Sequence, residues 1–339
     1  MSKLNVALLV CALVFAVGGQ QVSAGTVVSY QFTGTGNWSL DAIGSNSSPV
    51  GIVSAEVPLG STVEKAYLYS SKTPADSGTI PIVVFEGVTY SGVAWTPLGY
   101  AGSLQAFRTD VTAQIQGLIG SGSASRFDFT IQSETVNTQI DGEVLAIVYS
   151  NPAEVERTIA FLDGYSNMAG DVHYFNFNPP LSDPTAAGFE ALLSLGIGYG
   201  YQSQYNGQRS TVDINGVRMT SSAGGEDDGI SANGGLITVG GLDDSPALPP
   251  DPYAQPTTLR YDDELYDVSS FLSTGDTNFQ VNTANPSLDD NIFFIGLNVT
   301  AKGEVTPDPI PPVVPEPLTI LALAVGIGGL GRYARRRLT

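Results

Sequence analysis

Short apolar segments separated by glycine- and proline-containing turns restrict the fold of this chain more than any other feature. Phe127, Phe129 and Ile131 alternate with polar residues, which is the period-two pattern of a strand with one buried face. Residues 144–149 and 292–297 are continuous apolar runs, as expected of strands buried inside a sandwich. Because 39 glycines and 21 prolines favour turns over long helices, we predict an all-β protein. It would consist of one or two β-sandwich or jelly-roll-like units with few short helices.

Two short helices are expected between the strands. The first would follow the capping residue Asp110 and end at Gly120. The second would begin at Asp183, with a proline in its first turn, and run toward Leu195 before Gly196 ends it.

The order of several short motifs indicates a weak internal duplication. In the first half they are Glu86-Gly87-Val88, Asp110-Val111-Thr112, the pair Phe127 and Phe129, and Ile140-Asp141-Gly142. In the second half they are Asn215-Gly216-Val217, Asp267-Val268-Ser269, the pair Phe279 and Val281, and Leu288-Asp289-Asp290. We predict two related units, residues 25–180 and 181–304, with an acidic Gly- and Pro-rich surface insertion at 224–256. A single continuous structure is the alternative.

The first 24 residues have the three parts of a secretory signal peptide. Lys3 provides a positive charge, residues 6–17 are almost entirely apolar, and small residues precede a cleavage site for signal peptidase between Ala24 and Gly25. The apolar run is shorter than the ~20 residues of a spanning helix, which argues against a permanent anchor. The only cysteine, Cys11, lies within this segment, so we expect a mature protein without thiols or disulfides.

The end of the chain combines three kinds of segment. A proline-rich spacer at 305–314 leads to Pro315-Glu316-Pro317, and an apolar stretch at 318–331 precedes a cluster of arginines. At ~1.5 Å per residue the apolar stretch barely crosses a ~30 Å hydrocarbon layer unless the arginines snorkel, so we expect a single, transient helix in the inner membrane. The basic end would stay in the cytoplasm, which places the body of the protein on the far side.

These last 25 residues resemble the PEP-CTERM sorting domain. The resemblance implies an exported protein of an exopolysaccharide-producing Gram-negative bacterium, recognised and cut by the membrane enzyme exosortase. It implies recognition through Pro315, Glu316 and Pro317, and retention through Arg335, Arg336 and Arg337. An ordinary tail anchor is the alternative. The central modules are similar to uncharacterised domains of other bacterial surface proteins, a resemblance that transfers no residue.

The charge of the chain limits its partners. The chain carries 33 acidic and 14 basic residues, and five of the basic residues lie in the two segments that processing would remove. A strongly acidic surface repels nucleic acid, so we expect no nucleic-acid partner.

The residues offer no distinctive catalytic site. His173 is the only histidine, too few for a histidine-rich zinc site, and we assign it to packing or a hydrogen bond. A glycoside hydrolase would need two paired carboxylates, for which Asp141 with Glu143 and the group Asp262, Asp263 and Glu264 are candidates. Both sets are more typical of solvated turns, so we predict that the protein is not an enzyme.

Acidic and aromatic residues suggest two kinds of binding. Structural calcium is an alternative to plain acidic turns at Glu226, Asp227, Asp228, Asp243, Asp244, Asp289 and Asp290, and no other cofactor is expected. Sugar stacking is an alternative to core packing for Trp38, Trp95, Tyr199, Tyr201 and Tyr205.

The favoured function is that of a non-catalytic protein of the cell surface or of the exopolysaccharide and biofilm matrix. Exosortase, signal peptidase, the inner membrane and exopolysaccharide are the expected partners. A calcium-dependent or carbohydrate-binding adhesin is the first alternative, and a secreted glycoside hydrolase is the second.

Overall fold

The computed structural model describes eleven segments of the chain, and the fold is built from these alone. They are residues 25–45, 48–72, 80–101, 104–120, 124–133, 140–167, 170–198, 210–223, 237–244, 264–285 and 291–307. The predicted signal peptide, the spacer beyond Pro307 and the sorting tail lie outside them, as does most of the 224–256 insertion.

The described residues are mostly strands, which confirms the all-β prediction. The first nine strands are β1 Val27–Gly44, β2 Val50–Glu56, β3 Thr62–Lys72, β4 Val83–Phe85, β5 Val88–Tyr90, β6 Thr96–Ala101, β7 Leu104–Asp110, β8 Arg126–Ser133 and β9 Ile140–Ser150. The next ten are β10 Glu156–Asp163, β11 Val172–Phe177, β12 Ala191–Gly198, β13 Ser210–Ile214, β14 Val217–Ala223, β15 Ile237–Val239, β16 Leu265–Asp267, β17 Asn278–Ala284, β18 Asn291–Val299 and β19 Gly303–Pro307. Helix α1 is Thr112–Ile119, and two 3₁₀ turns are Gly92–Ala94 and Ser269–Phe271.

The strands form three sheets. The largest has the order β15-β12-β18-β10-β1-β9-β3-β7-β6, with β16 beside β12. The second has the order β14-β13-β17-β11-β19, and the third β2-β8-β4-β5. The long strand β1 holds the largest sheet together, because Val27 to Thr35 pair with β10 and Gly36 to Gly44 pair with β9, both antiparallel.

In the largest sheet, both the half that contains β9 and the half that contains β10 are buried on both faces. In β9, Val144, Ala146 and Val148 enter one apolar core, while Leu145, Ile147 and Tyr149 enter another. In β10, Ile159 and Phe161 enter the first of these cores, while Ala160 and Leu162 enter a third. The body is therefore a stack of four β-layers around three cores. Continuous apolar runs follow from this arrangement, since a strand in an inner layer has no solvent face.

The strand pairing repeats between the two halves of the body. Val111 N–H donates to Ala66 O at 2.9 Å after β7, and Val268 N–H donates to Ala191 O at 2.8 Å after β16. In each half an aspartate then accepts the second following N–H at 2.9 Å: Asp110 from Thr112, and Asp267 from Ser269.

The repeat visible in the pairing runs from β1 to β9 and again from β10 to β18. In the first repeat β1 pairs with β9, and β8 lies beside β4. In the second repeat β10 pairs with β18, and β17 lies beside β13 in the same way. The repeat therefore divides between residues 150 and 156, whereas the sequence landmarks place a boundary at 180. The described residues up to Thr306 form one compact unit, in which strands of both repeats share the largest sheet.

One of the two predicted helices is present. Helix α1 buries Ile115 and Ile119, as its apolar spacing predicts. The second prediction is wrong, because Asp183 begins a turn and residues 191–198 form β12. Leu193, Leu195 and Ile197 of β12 enter a core, so tertiary burial overrides the local helix signals.

The C-terminal end of the body refines one further prediction. The proline-rich spacer was expected from residue 305, but residues 305–307 still belong to β19. Within the described segments, no helix has the length and apolar character needed to cross a bilayer.

Candidate functional site

A polar cleft lies beside residues 37–40 of β1. Its volume is about 320 Å³. The lining residues come from β1, β2, β9, β10, β12, the turn before β12 and the turn after β15: Asn37, Trp38, Ser39, Leu40, Glu56, Tyr149, Arg157, Glu190, Leu192, Gly241, Leu242 and Asp243. The cleft combines aromatic, amide and charged groups, which is the composition of a site for a polar ligand.

Arg157 is the centre of a hydrogen-bond network at the cleft. The residue is 4% exposed, and its Nη1 donates to Asn298 Oδ1 at 3.1 Å and to Glu190 Oε2 at 3.2 Å. Asn298 in turn donates through Nδ2 to Asn37 Oδ1 at 2.8 Å. Among the described residues, Nε of Arg157 has no acceptor.

Trp38 is partly packed and partly open to the cleft. Its ring stacks on Phe161, with centroids 6.5 Å apart, and packs against the central core. Gly296 makes this position possible, because a Cβ there would lie 2.7 Å from Cζ3 of Trp38. The tryptophan is therefore held rigidly, which is favourable for stacking on a sugar ring.

The other predicted sugar-stacking aromatics do not join Trp38. Trp95 is buried in the core beside α1, edge-on to Tyr90 and Phe107, so core packing is its role. The tyrosines Tyr199, Tyr201 and Tyr205 lie outside the described residues.

Acidic groups border the cleft. Burial raises the pKa of Asp41 to about 7, partly opposed by a hydrogen bond from the Ser54 N–H, and the neighbouring Asp243 raises it further. Arg126 donates to both carboxylate oxygens of Asp243, at 2.9 and 2.6 Å, and this lowers the pKa of Asp243. Asp243 lines the cleft, whereas Asp41 is not among its lining residues.

The predicted calcium ligands are only partly described. Asp243 is engaged by Arg126, and Asp244 Oδ2 accepts the N–H of Gly241 at 2.7 Å. Glu226, Asp227, Asp228, Asp289 and Asp290 lie outside the described residues. In the part of the chain that the structure describes, no group of three or more His, Cys, Asp or Glu side chains is arranged to hold a metal ion.

Three of the predicted turn carboxylates are buried, so that prediction is wrong for them. Asp141, Glu143 and Glu264 are each no more than 1% exposed. Asp262 and Asp263 lie outside the described residues. Asp141 and Glu143 belong to β9, an inner-layer strand, which local composition does not reveal.

Glu143 is held by three serine hydroxyls. Ser45 and Ser133 each donate to its carboxyl group at 2.6 Å, and Ser70 donates at 3.4 Å. Burial raises the pKa of Glu143 to about 7 despite these hydrogen bonds, which favour the charged form. Glu143 does not line the cleft, and its side chain is buried in the core.

His173 has a hydrogen-bonded, buried position. Its Nε2 lies 2.6 Å from Thr26 Oγ1, which also donates to Asp171 Oδ2 at 3.4 Å. Burial lowers the pKa of His173, and the nearby Asp171 opposes this shift. Burial therefore disfavours the charged imidazolium, and the ring shares one hydrogen bond with the threonine.

Comparison with known proteins assigns no family. No protein-family model matches the chain, and no curated protein matches it. A full-length structure of the RrgB pilus protein from Streptococcus pneumoniae aligns with 11% identity and a TM-score of 0.17, over 74% of this chain and 36% of the pilus protein. The chain thus spans about a third of that protein, and a TM-score this low carries no structural inference.

Sequence reasoning missed the network around Arg157. Asn37, Glu190 and Asn298 are far apart in the sequence and have ordinary neighbours. The only signal was Arg157 itself, a rare basic residue directly before the apolar residues 159–162 of an inner strand. A buried arginine needs acceptors, so its position alone predicts a polar network.

Proposed function

We propose that this chain is an exported, non-catalytic protein of the bacterial surface or extracellular matrix. An N-terminal signal peptide directs export, and the PEP-CTERM-like tail with its single apolar helix holds the chain briefly in the inner membrane until exosortase cuts it. The sheet that contains β17 and the β10 half of the largest sheet would form one β-sandwich or jelly-roll-like unit. The sheet that contains β8 and the β9 half would form the other. The all-β body supports this proposal, since stacked sheets are common in extracellular domains.

One observation carries the proposal: Pro315-Glu316-Pro317, the apolar stretch at 318–331 and the terminal arginines stand in the order of a sorting tail. The test is intact mass spectrometry of the protein from an exosortase-containing host. We expect an N-terminus at Gly25 and a C-terminus near Pro317. A full-length chain confined to the inner membrane would refute the proposal.

Two variants separate recognition from retention. Glu316→Ala is expected to leave an uncut chain in the inner membrane, because the recognition tripeptide is altered. Replacing Arg335, Arg336 and Arg337 together with alanine is expected to impair retention and reduce correct cutting. Glu304→Ala, an exposed glutamate on β19, is the matched control and should be processed normally.

The cleft favours saccharide binding as a second function. Trp38 provides a fixed aromatic surface, while Asn37, Arg157 and Glu190 provide hydrogen-bonding groups of the kind that bind hydroxyls. An exopolysaccharide segment is the ligand class that fits both the cleft and the proposed location.

A glycan array tests this second function. Glu190→Gln is expected to weaken binding to the bound glycans, because Glu190 lines the cleft. Glu156→Gln is the control, since its side chain is equally exposed at 51% but pairs with Lys302 outside the cleft. Loss of binding in EDTA would instead support a calcium-dependent adhesin. Release of new reducing ends would support a glycoside hydrolase.

A further inference from the structure

We propose that cleavage after Ala24 creates a binding partner for a buried carboxylate: the new α-ammonium group of Gly25 forms an ion pair with Asp171. Removal of the signal peptide would then complete a polar cluster inside the mature body. This inference rests on the proposed export of the chain.

Gly25 lies directly against the Asp171 side chain. A Cβ on Gly25 would lie 2.2 Å from Asp171 Oδ1 and 2.8 Å from its Cγ, so only glycine fits here. Because two bonds of ~1.5 Å separate that Cβ position from the Gly25 nitrogen, the nitrogen lies within about 5 Å of Oδ1. The proposed ion pair requires a rotation of the freed terminus that closes this gap.

The next residue fixes the chain in this position. Thr26 N–H donates to Asp171 Oδ2 at 3.3 Å, and Thr26 is 3% exposed. Gly164 packs against the same backbone, since a Cβ on Gly164 would lie 2.7 Å from Gly25 O. The end of the mature chain is therefore anchored before any ion pair forms.

Asp171 is a buried carboxylate that lacks a cationic side chain. It is 9% exposed, and it accepts hydrogen bonds from Asn167 Nδ2 at 2.6 Å and from Asn167 N–H at 3.2 Å. Within the described segments no lysine or arginine pairs with it. By contrast, the comparably buried Asp163 pairs with Arg108 at 2.6 Å. Buried carboxylates are stabilised by an opposite charge, which the new terminus would supply.

His173 does not take this role. It is the other titratable group of the cluster, and its pKa is lowered by burial. Its Nε2 is engaged by Thr26 Oγ1 at 2.6 Å. Burial disfavours the imidazolium form that would pair with Asp171.

The chemistry of processing balances without a further reactant. Water cleaves the Ala24–Gly25 peptide bond, the carboxylate stays with Ala24, and the amine of Gly25 takes up a proton. An α-ammonium group has three N–H donors where the former amide had one, and a free α-amine has a pKa of about 7.7–8.0. The group is thus charged at pH 7.

A double-mutant cycle tests the ion pair independently of export. The chain from Gly25 to Thr339, released from a removable leader and purified in mild detergent, is compared with the same chain retaining Ala24. The extra residue moves the charge ~3.8 Å along the chain, and we expect it to lower Tm by a few degrees. With Asp171→Asn in both chains, the extra residue should have no effect. An equal drop in both backgrounds would overturn the inference.

A labelling measurement covers the case in which Asp171→Asn unfolds. We expect the Gly25 amine of the folded chain to react with an acylating reagent at pH 7 at least ~10-fold more slowly than in the urea-unfolded chain, because the ion pair favours the unreactive ammonium form. Equal rates would overturn the inference.

Mass spectrometry of the exported protein distinguishes this inference from the proposed function. An exported chain with an N-terminus other than Gly25 overturns the inference alone. A chain with its signal peptide still attached, confined to the cell interior, overturns the proposed function as well.

Discussion

Glu86 and Asn215 occupy equivalent positions in two hairpin turns. Glu86 N–H donates to Thr130 O at 3.0 Å, and its side chain accepts the N–H of Thr130. Asn215 N–H donates to Gln280 O at 3.0 Å, and its side chain accepts the N–H of Gln280 at 2.9 Å. Both residues have positive φ, 47° and 53°, and each precedes a glycine. The two repeats thus keep a hydrogen-bond geometry although the side chain differs.

Replacing either turn residue should weaken its hairpin. Asn215→Ala removes the bond to Gln280 and places alanine at positive φ, so we expect a loss of about 1–2 kcal/mol in the free energy of unfolding. Glu86→Ala should cost a similar amount for the same reasons. Urea denaturation measures both. Asn215→Asp, which keeps the acceptor, is the control and should lose less; an unchanged midpoint for the alanine variants would contradict the repeat.

The raised pKa of Glu143 predicts how stability depends on pH. Below about pH 4.5 the carboxyl group is protonated in both the native and the unfolded state. Between pH 4.5 and about 7 the unfolded chain loses this proton while the native protein keeps it, so the free energy of unfolding falls as pH rises. Asp41 contributes in the same direction between pH 3.8 and about 7.

Glu143→Gln should reduce the fall in the free energy of unfolding between pH 4.5 and about 7. The glutamine fills the same space, accepts from the serines and carries no charge, so at pH 8 we expect a gain of about 1–3 kcal/mol over the natural chain. Urea unfolding at pH 4.5, 6 and 8 measures the slope, and Glu304→Gln on the surface should leave it unchanged. A slope identical to that of the natural chain would show that Glu143 is ionised in the native protein.

The Arg157 network should be important for stability as well as for the cleft. Arg157→Met fills the volume but leaves buried Asn298 without its donor, so we expect a loss of about 2–4 kcal/mol. Arg126→Met breaks the exposed pair with Asp243 and should leave Tm nearly unchanged. Thermal unfolding by circular dichroism compares them; equal effects would mean that the burial of Arg157 has no consequence.

The inner layers should be far more sensitive to truncation than the surface. Leu145 on β9 is 1% exposed, and Leu145→Ala is expected to cost about 2–5 kcal/mol because it leaves a cavity in the core beside α1. Leu59→Ala, at a position that is 60% exposed, should change the free energy of unfolding by less than about 0.5 kcal/mol. Chemical denaturation of both variants checks this. A small effect at Leu145 would contradict the four-layer stack.

Local patterns predicted the features that depend on neighbouring residues. The alternation at Phe127 and Phe129 identified β8, the continuous run at 144–149 identified β9, and the spacing after Asp110 identified α1. The order of motifs also pointed to the repeat. For β8, β9 and α1 the signal lies within about ten residues and reflects backbone geometry or the period of a buried face.

The tertiary structure decided what depends on distant residues. Where a helix was expected before Gly196, the chain forms β12, because this strand fills a core between two sheets. It buried Glu143 and Arg157, and it brought Gly25 against Asp171 across the length of a whole repeat. Burial and charge pairing arise only when strands from separate parts of the chain meet, so local sequence determined strands such as β8 and β9, while the fold determined β12, which polar groups lost water and which partners they gained.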